Sequence, residues 1–267
     1  MEKKKILFIS QEIVPFLPKS EMSVRARKLP QGIQEKGREI RTFMPRYGLV
    51  NERRNQLHEV IRLSGMNLII NDTDHQLIIK VASIQAARMQ VYFIDNEDYF
   101  QRKGILKDNK GKDFADNDER AVFFARGVLE TVEKLRWAPD IIHCCGWLSS
   151  LVPLFVKKAY AVDPLFAKTK VVYSLFNEEF KSKLNPKIAD NIVTEGVSKE
   201  DISELKDFSY ESLNNIGIQY ADAVIQESEN VAPELLDFIK AKEKYFLPYQ
   251  SDDSYLESYN DLYEKLL

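Results

Sequence analysis

The sequence predicts an α/β fold, a Rossmann-like open parallel sheet with helices on both faces and a small β-rich insert. Three observations carry that expectation. Lys5 to Met44 reads as one strand-helix-strand unit. Trp137 to Val156 reads as a buried strand, a tight turn and a helix. Between them, from Leu57 to Ile94, the pattern changes to short β-rich pieces.

Taken in order, Lys5 to Ser10 is apolar enough to be a strand buried on both faces. Pro15 and Pro18 keep Gln11 to Lys19 a loop. Met22, Ala26, Leu29 and Ile33 then mark one face of a helix, with Gly37 placed as its C-terminal cap. Glu39 to Met44 is the second strand, ended by Pro45, and the unit of about 40 residues predicts a right-handed parallel crossover. Asn51 to Gln56 is polar. In the insert, strands are expected at Glu59 to Leu63, Met66 to Ile70 and Leu77 to Ile84, with Asn71 to Asp74 as turn. Val91 to Ile94 returns to the main sheet.

Asp95 to Lys112 is loop with one short helix. Asp116 with Glu119 three residues later has the form of a capping box, opening a helix whose buried face is Val122, Ala125, Leu129, Val132 and Leu135. Asp140 to His143 is the central strand, and Cys144 to Trp147 is the tight turn after it, where Gly146 supplies a positive φ. In an open α/β sheet, ligands sit beyond the carboxyl ends of the strands, so a site is sought there. Thr169 to Leu175 and Ala223 to Ile225 are further strands, and Tyr210 to Tyr220 and Val231 to Ile239 are helices. Ile188 to Leu205 is ambiguous. Lys240 to Tyr249 is a charged, aromatic connector. Leu256, Tyr259, Tyr263 and Leu266 form the stripe of a final amphipathic helix. The expected organisation is one domain over residues 1–250, with the insert at about 57–90, and a helix at 251–267 docked on the same domain.

Composition narrows the function classes. Hydrophobic residues at 44% and charged residues at 30% place the chain among globular proteins rather than disordered ones. A net charge of −3 lacks the basic footprint of a nucleic-acid binder. No apolar run reaches the roughly 18 residues of a membrane span. The apolar run after Lys3 to Lys5 is too short for a signal peptide, so a cytoplasmic protein is expected. His143-Cys144-Cys145 lacks the separation that lets side chains converge on a metal, and no metal or cofactor is expected. Glycine is scarce, 10 of 267 against a usual share of about 7%, which counts against the phosphate-cradling loops of a nucleotide enzyme.

Five stretches resemble bacterial glycogen synthases and plant starch synthases. They are Lys5 to Phe16 (KILFISQEIVPF), Phe43 to Tyr47 (FMPRY), Val91 to Phe100 (VYFIDNEDYF), Asp116 to Arg120 (DNDER) and Trp137 to Cys144 (WAPDIIHC). The similarity runs from the first residue to about Ile225. It implies the N-terminal half of a two-domain (GT-B) glycosyltransferase, the half that holds the glucan acceptor. The second domain, which supplies most nucleotide-sugar contacts in the family, is expected to be absent.

The family's site motifs are altered here. Its Lys-Thr-Gly-Gly-Leu loop corresponds to Lys19-Ser20-Glu21-Met22-Ser23, which keeps Lys19 and loses both glycines. Its His-Asp-Trp corresponds to Cys145-Gly146-Trp147, and its Thr-Ile-His-Asn to Ser174-Leu175-Phe176-Asn177. No catalytic residue is therefore assigned.

The ligand-binding candidates are Lys19, His143, Trp147 and Asn177. Lys19 would neutralise phosphate, or is simply an exposed loop lysine. His143 would line a pocket, or is a satisfied core group. Trp147 would stack on a sugar, or packs. Asn177 would bond a ligand, or caps its loop. Cys145 is a nucleophile only with a base nearby. His58 and His75 read as surface residues of the insert. The adjacent carboxylates Glu178 and Glu179 diverge and make no glycosidase pair.

The leading expectation is an inactive relative that binds a glucan, a sugar nucleotide or a protein partner. The alternatives are half of a split α-glucan synthase, a hexosyltransferase whose partner supplies the second domain, and a structural or assembly protein reusing the fold.

Overall fold

The structure, a computed structural model, describes residues 3–267. β1 (Lys5–Ser10), α1 (Glu21–Glu35) and β2 (Glu39–Pro45) form the predicted β-α-β unit, with β1 and β2 paired in parallel from Lys5↔Glu39 to Ile9↔Phe43. Ser20 caps α1. Its hydroxyl accepts the Ser23 N–H at 3.0 Å, and Ser23 Oγ accepts the Ser20 N–H at 2.7 Å.

The insert follows as α2 (Glu52–Asn55), β3 (His58–Glu59), β4 (Met66–Ile70), β5 (Thr73–Ile84) and β6 (Met89–Asp95). β6 pairs in parallel with β2, and β5 pairs antiparallel with β6, β3 and β4. Of the first expected insert strand, Glu59 to Leu63, only Glu59 is paired as strand, beside His58, because the chain turns after Val60, with the Leu63 N–H bonded to the Val60 carbonyl at 2.9 Å.

Then come α3 (Glu97–Phe100), α4 (Asn117–Lys134), β7 (Ile141–Cys145), α5 (Leu151–Lys157) and β8 (Lys170–Leu175). The chain closes with α6 (Ile188–Ile192), α7 (Tyr210–Tyr220), β9 (Ala223–Gln226), α8 (Pro233–Ala241), β10 (Tyr245–Leu247) and α9 (Tyr255–Leu266).

The sheet runs β10-β9-β8-β7-β1-β2-β6-β5-β3, with β4 on β5. Every pair from β10 to β6 is parallel. The order reverses at β1, which lies between β2 and β7, and this switch point is where such sheets bind ligands.

Four expectations need correction. Asp116 makes no capping bond to α4, because Arg102 holds both its carboxylate oxygens; Glu119 instead accepts from Tyr99 Oη at 2.8 Å. Cys144 and Cys145 belong to β7, so the turn starts two residues later, at Gly146. The connector contains β10, which extends the sheet beside β9. The buried stripe of α9 is Tyr255, Tyr259, Leu262 and Tyr263, with Leu256 and Leu266 only half-buried at its margin.

Strand alternation sorts the core. Leu7, Ile9, Ile142 and Cys144 face α4, α5 and α7. Ile6, Phe8, Ile141, Val172 and Ile225 face α1 and α9, where Tyr259 and Tyr263 are fully buried. At the rim of α9, Lys36 pairs with Glu257 at 2.7 Å and Arg38 with Glu264 at 2.5 Å. Both carboxylates are exposed to solvent, which screens such pairs, so the buried stripe holds the helix. Leu262→Ala should lower the unfolding free energy by about 2–5 kcal/mol, as truncation of a buried leucine does. Glu257→Ala should stay within about 0.5 kcal/mol of the parent. Urea unfolding of both variants checks the contrast.

Candidate functional site

The carboxyl ends of β1, β7, β8 and β9 converge on a small region, and three side chains fill it. Met22, Cys145 and Phe176 form an isolated apolar cluster, all nearly or fully buried. Each comes from a different element: the first turn of α1, the last residue of β7 and the residue after β8. Each also stands where the resemblance placed a glycine or a histidine. The replacements therefore pack on one another and close the space between the strand ends.

Gly146 sits against this cluster with φ +82° and ψ 167°, a conformation open to glycine alone. A Cβ there would fall on Glu178 Oε1 and within 2.5 Å of Met22 Cε. Glu178 folds inward over the turn. Its Oε1 accepts the Trp147 N–H at 2.7 Å, and its Oε2 accepts from Gln11 Nε2. Burial raises the Glu178 carboxyl well above the ordinary carboxylate range, and the neighbouring Glu12 adds to the rise. Glu12, raised chiefly by its own burial, accepts from Ser20 Oγ at 2.6 Å. Glu179 is exposed, so the two adjacent carboxylates do diverge.

A second polar group lies one layer behind, toward α9. Alternation along β7, β8 and β9 puts His143, Ser174 and Glu227 on the same face. His143 is fully buried; Nδ1 meets Tyr263 Oη at 2.5 Å and Nε2 meets Ser174 Oγ at 2.6 Å. Burial lowers its pKa to about 3 and keeps the ring neutral. Glu227 Oε1 pairs with Arg25 Nε at 2.5 Å, and Oε2 accepts from Tyr259 Oη at 2.8 Å and Ser174 Oγ at 3.3 Å. Desolvation outweighs the Arg25 charge and pushes Glu227 up to about 7.

The four sequence candidates are thus dispersed. Lys19 is exposed, one residue before the α1 cap. His143 is turned to α9, away from the loops. Asn177 is exposed, and its backbone N–H donates to Ser228 Oγ at 2.9 Å. Trp147 is buried with its ring 4.9 Å from that of Phe180, edge-on, and its indole N–H has no partner among the described residues.

Trp147 and Phe180 line a cavity of about 340 Å³ that also touches Asp113, Phe114, Asn117 and Ser182. Asp113 Oδ2 accepts from Ser182 Oγ at 2.6 Å, while the buried Oδ1 has no hydrogen-bond donor among the described residues. A larger cavity, about 460 Å³, lies at the opposite ends of β1 and β2, around Lys3, Glu39 and Arg88. The cavity at Trp147 lies on the carboxyl-end side of the sheet, where the switch point is, and so does a smaller one of about 290 Å³ at the start of α1, around Ser20, Glu21 and Arg25.

Sequence reasoning missed Glu178, Gln11, Arg25, Glu227 and Asp113. The one available signal was that Gly146 removes an acid while Glu178 adds one, and only the fold brings them together. The Cys145 thiol is raised well above its ordinary value by burial, and both ring nitrogens of His143 are engaged, so the pair is not a nucleophile and base. His75 is less exposed than expected, because its Nε2 meets Tyr99 Oη at 3.0 Å. Among the described residues no cluster of His, Cys, Asp or Glu could hold a metal, and no helix is long and apolar enough to cross a membrane.

The model of the starch synthase catalytic domain family matches residues 5–244. The chain belongs to that family. It is 37% identical over 243 residues to a glycogen synthase of Chlorobaculum tepidum, covering 87% of this chain and 47% of that protein. A glycogen synthase of Chlorobaculum parvum is 35% identical over 241 residues, covering 86% and 47%. The chain thus spans about half the length of the curated relatives it matches. The catalytic domain of starch synthase IV from Arabidopsis thaliana, solved with ADP and acarbose, superposes with a TM-score of 0.76 at 16% identity over 95% of this chain and 53% of that one. This likeness shows that the chain shares the α/β fold of the part of that domain it covers.

Two predictions follow from the geometry. Gly146→Ala should cost about 1–3 kcal/mol, the usual strain of a side chain in that backbone region, measured by urea unfolding. Glu227 has a folded pKa above its unfolded value, so its stabilising contribution is full below about pH 4.5 and is lost as pH rises through about 7. Glu227→Gln should remove that slope, on the order of 3 kcal/mol, from stability curves recorded between pH 4.5 and 7. The His143 contribution has the opposite sign, falling as pH drops below about 6.5, and cancels in the comparison.

Proposed function

We propose that this chain is a cytoplasmic starch synthase-type domain that binds a saccharide and does not transfer glucose. The observation that carries the reading is the mutual packing of Met22, Cys145 and Phe176 beneath Glu178. Glucosyl transfer needs open backbone and polar donors at the strand ends, where charge develops on the departing diphosphate. Here that space holds a thioether, a thiol and a phenyl ring, and the Glu178 carboxyl group lies over the turn beside them.

The cavity beside the cluster supports binding. It is lined by Trp147, whose indole N–H has no partner among the described residues, and by Asp113, whose Oδ1 pairs with Lys107 Nζ at 3.7 Å and can still accept a hydrogen bond, together with the aromatic rings of Phe114 and Phe180. A hydroxyl group both donates and accepts, so a hydroxylated ring with apolar faces answers both atoms and both walls. The ligand class is a glucose unit of an α-glucan.

Glucose incorporation into glycogen from ADP-glucose and from UDP-glucose is expected to be at background. A maltooligosaccharide at about 100 times its dissociation constant should raise the melting midpoint by about 5–10 °C. Trp147→Phe, which removes the indole donor, should reduce that shift. Transfer by the chain alone would overturn the inactive reading. Transfer only after adding a second polypeptide that matches the rest of the relatives' length would establish a split α-glucan synthase. No shift with any saccharide would overturn sugar binding and direct the search to a protein partner.

A further inference from the structure

α9 reaches the filled strand ends through hydrogen bonds joined by single steps along the backbone. Tyr259 Oη donates to Glu227 Oε2 at 2.8 Å. The next residue, Ser228, accepts the Asn177 N–H at 2.9 Å and donates to the Glu21 carboxylate. Glu21 adjoins Met22, and Asn177 lies between Phe176 and Glu178. One bonded path therefore runs from α9 to two of the three cluster residues and to the carboxyl group over them.

Two further contacts follow the same course. Arg25, one helical turn beyond Met22, pairs with Glu227 while its guanidinium lies 3.5 Å above the Tyr255 ring and Nη2 sits 3.2 Å from Asp252 Oδ1. Tyr263 bonds His143, and His143 bonds Ser174, which shares Glu227 Oε2 with Tyr259. If α9 leaves, Glu227 loses a donor and Arg25 loses its stacking partner, so a buried ion pair is left short of bonds and open to water. The segment joining β10 to α9 is mostly exposed, including Pro248, Tyr249 and Ser251 to Ser254, and places little packing in the way of such a movement.

We infer that α9 is a latch on this site: while docked it fixes Glu227 and, through Ser228, holds the 176–178 loop and the first turn of α1 in the closed arrangement. Undocking loosens Phe176, Glu178 and Met22 together. The coupling is reciprocal, so a ligand that displaces Glu178 and Phe176 weakens the hold on α9. The inference borrows from the proposed function only the reading of the cluster as a plug; the coupling has its own readout.

Hydrogen exchange read by mass spectrometry tests it on the full chain. Tyr259→Phe cuts the bond to Glu227, Tyr263→Phe cuts the bond to His143, and Leu262→Ala weakens packing without touching either path. Circular dichroism verifies that each variant folds. In every variant that speeds exchange across α9, the Trp147 and Asn177 amides, which donate to Glu178 and Ser228, should exchange about tenfold faster, with α4 unchanged. Faster exchange of α9 with those two amides at the parent rate overturns the inference, as does an α9 that stays protected in all three variants. Transfer activity in the incorporation assay would overturn the plug reading and leave the exchange result standing, so the two failures are separable.

Discussion

A carboxylate in a protein interior must be answered by donors, and the Glu227 side chain is where this structure meets that demand. It is almost fully buried at the end of β9, and Arg25 from α1, Ser174 from β8 and Tyr259 from α9 all converge on it. Four elements distant in sequence are thereby tied at one point on the α1 and α9 face. Desolvation still outweighs the Arg25 charge, which is why the group is pushed up to about 7. The ion pair is better regarded as a device that specifies how α9 sits than as a large source of stability.

In front of that point the strand ends are closed by side chains that have adapted to each other. Met22 needs space that a side chain at 146 would occupy, and Gly146 provides it. Glu178 uses the same space to reach the Trp147 N–H. Cys145 and Phe176 complete the cluster from neighbouring strands. The arrangement is shared among these residues, since a side chain at 146 would meet both Met22 and Glu178.

The sequence residues that resemble the family's scaffold and those that depart from its site play different mechanical parts. Ile6, Phe8, Ile141 and Val172 build the sheet that the rest hangs on. Trp147 is shared between the two regions: its backbone holds Glu178, and its ring lines the cavity with Phe180. The cavity is thus linked through Trp147 to the turn that Glu178 covers, and Asp113, Phe114 and Ser182 complete its lining.

Much of this protein was decided locally and was legible in the chain. Short continuous apolar runs such as Ile6 to Ile9, helical stripes such as Met22 to Ile33, and glycine and proline at their ends specify β1, α1, β2 and α7 to within a residue or two, since these preferences act between near neighbours. The replaced motifs at Met22, Cys145 and Phe176 were legible as replacements. Their meeting was not, because it depends on which strands are adjacent and on side-chain parity across three of them. The same applies to His143, which lies at a strand end in sequence but faces α9 in space, and to Glu178, whose partners are Gln11 and the Trp147 N–H. Asp116 shows the opposite case, a local capping signal overridden by Arg102. Sequence by itself determined the elements and the family; tertiary structure alone decided which face each polar group presents, because burial and partner geometry are properties of the packed whole.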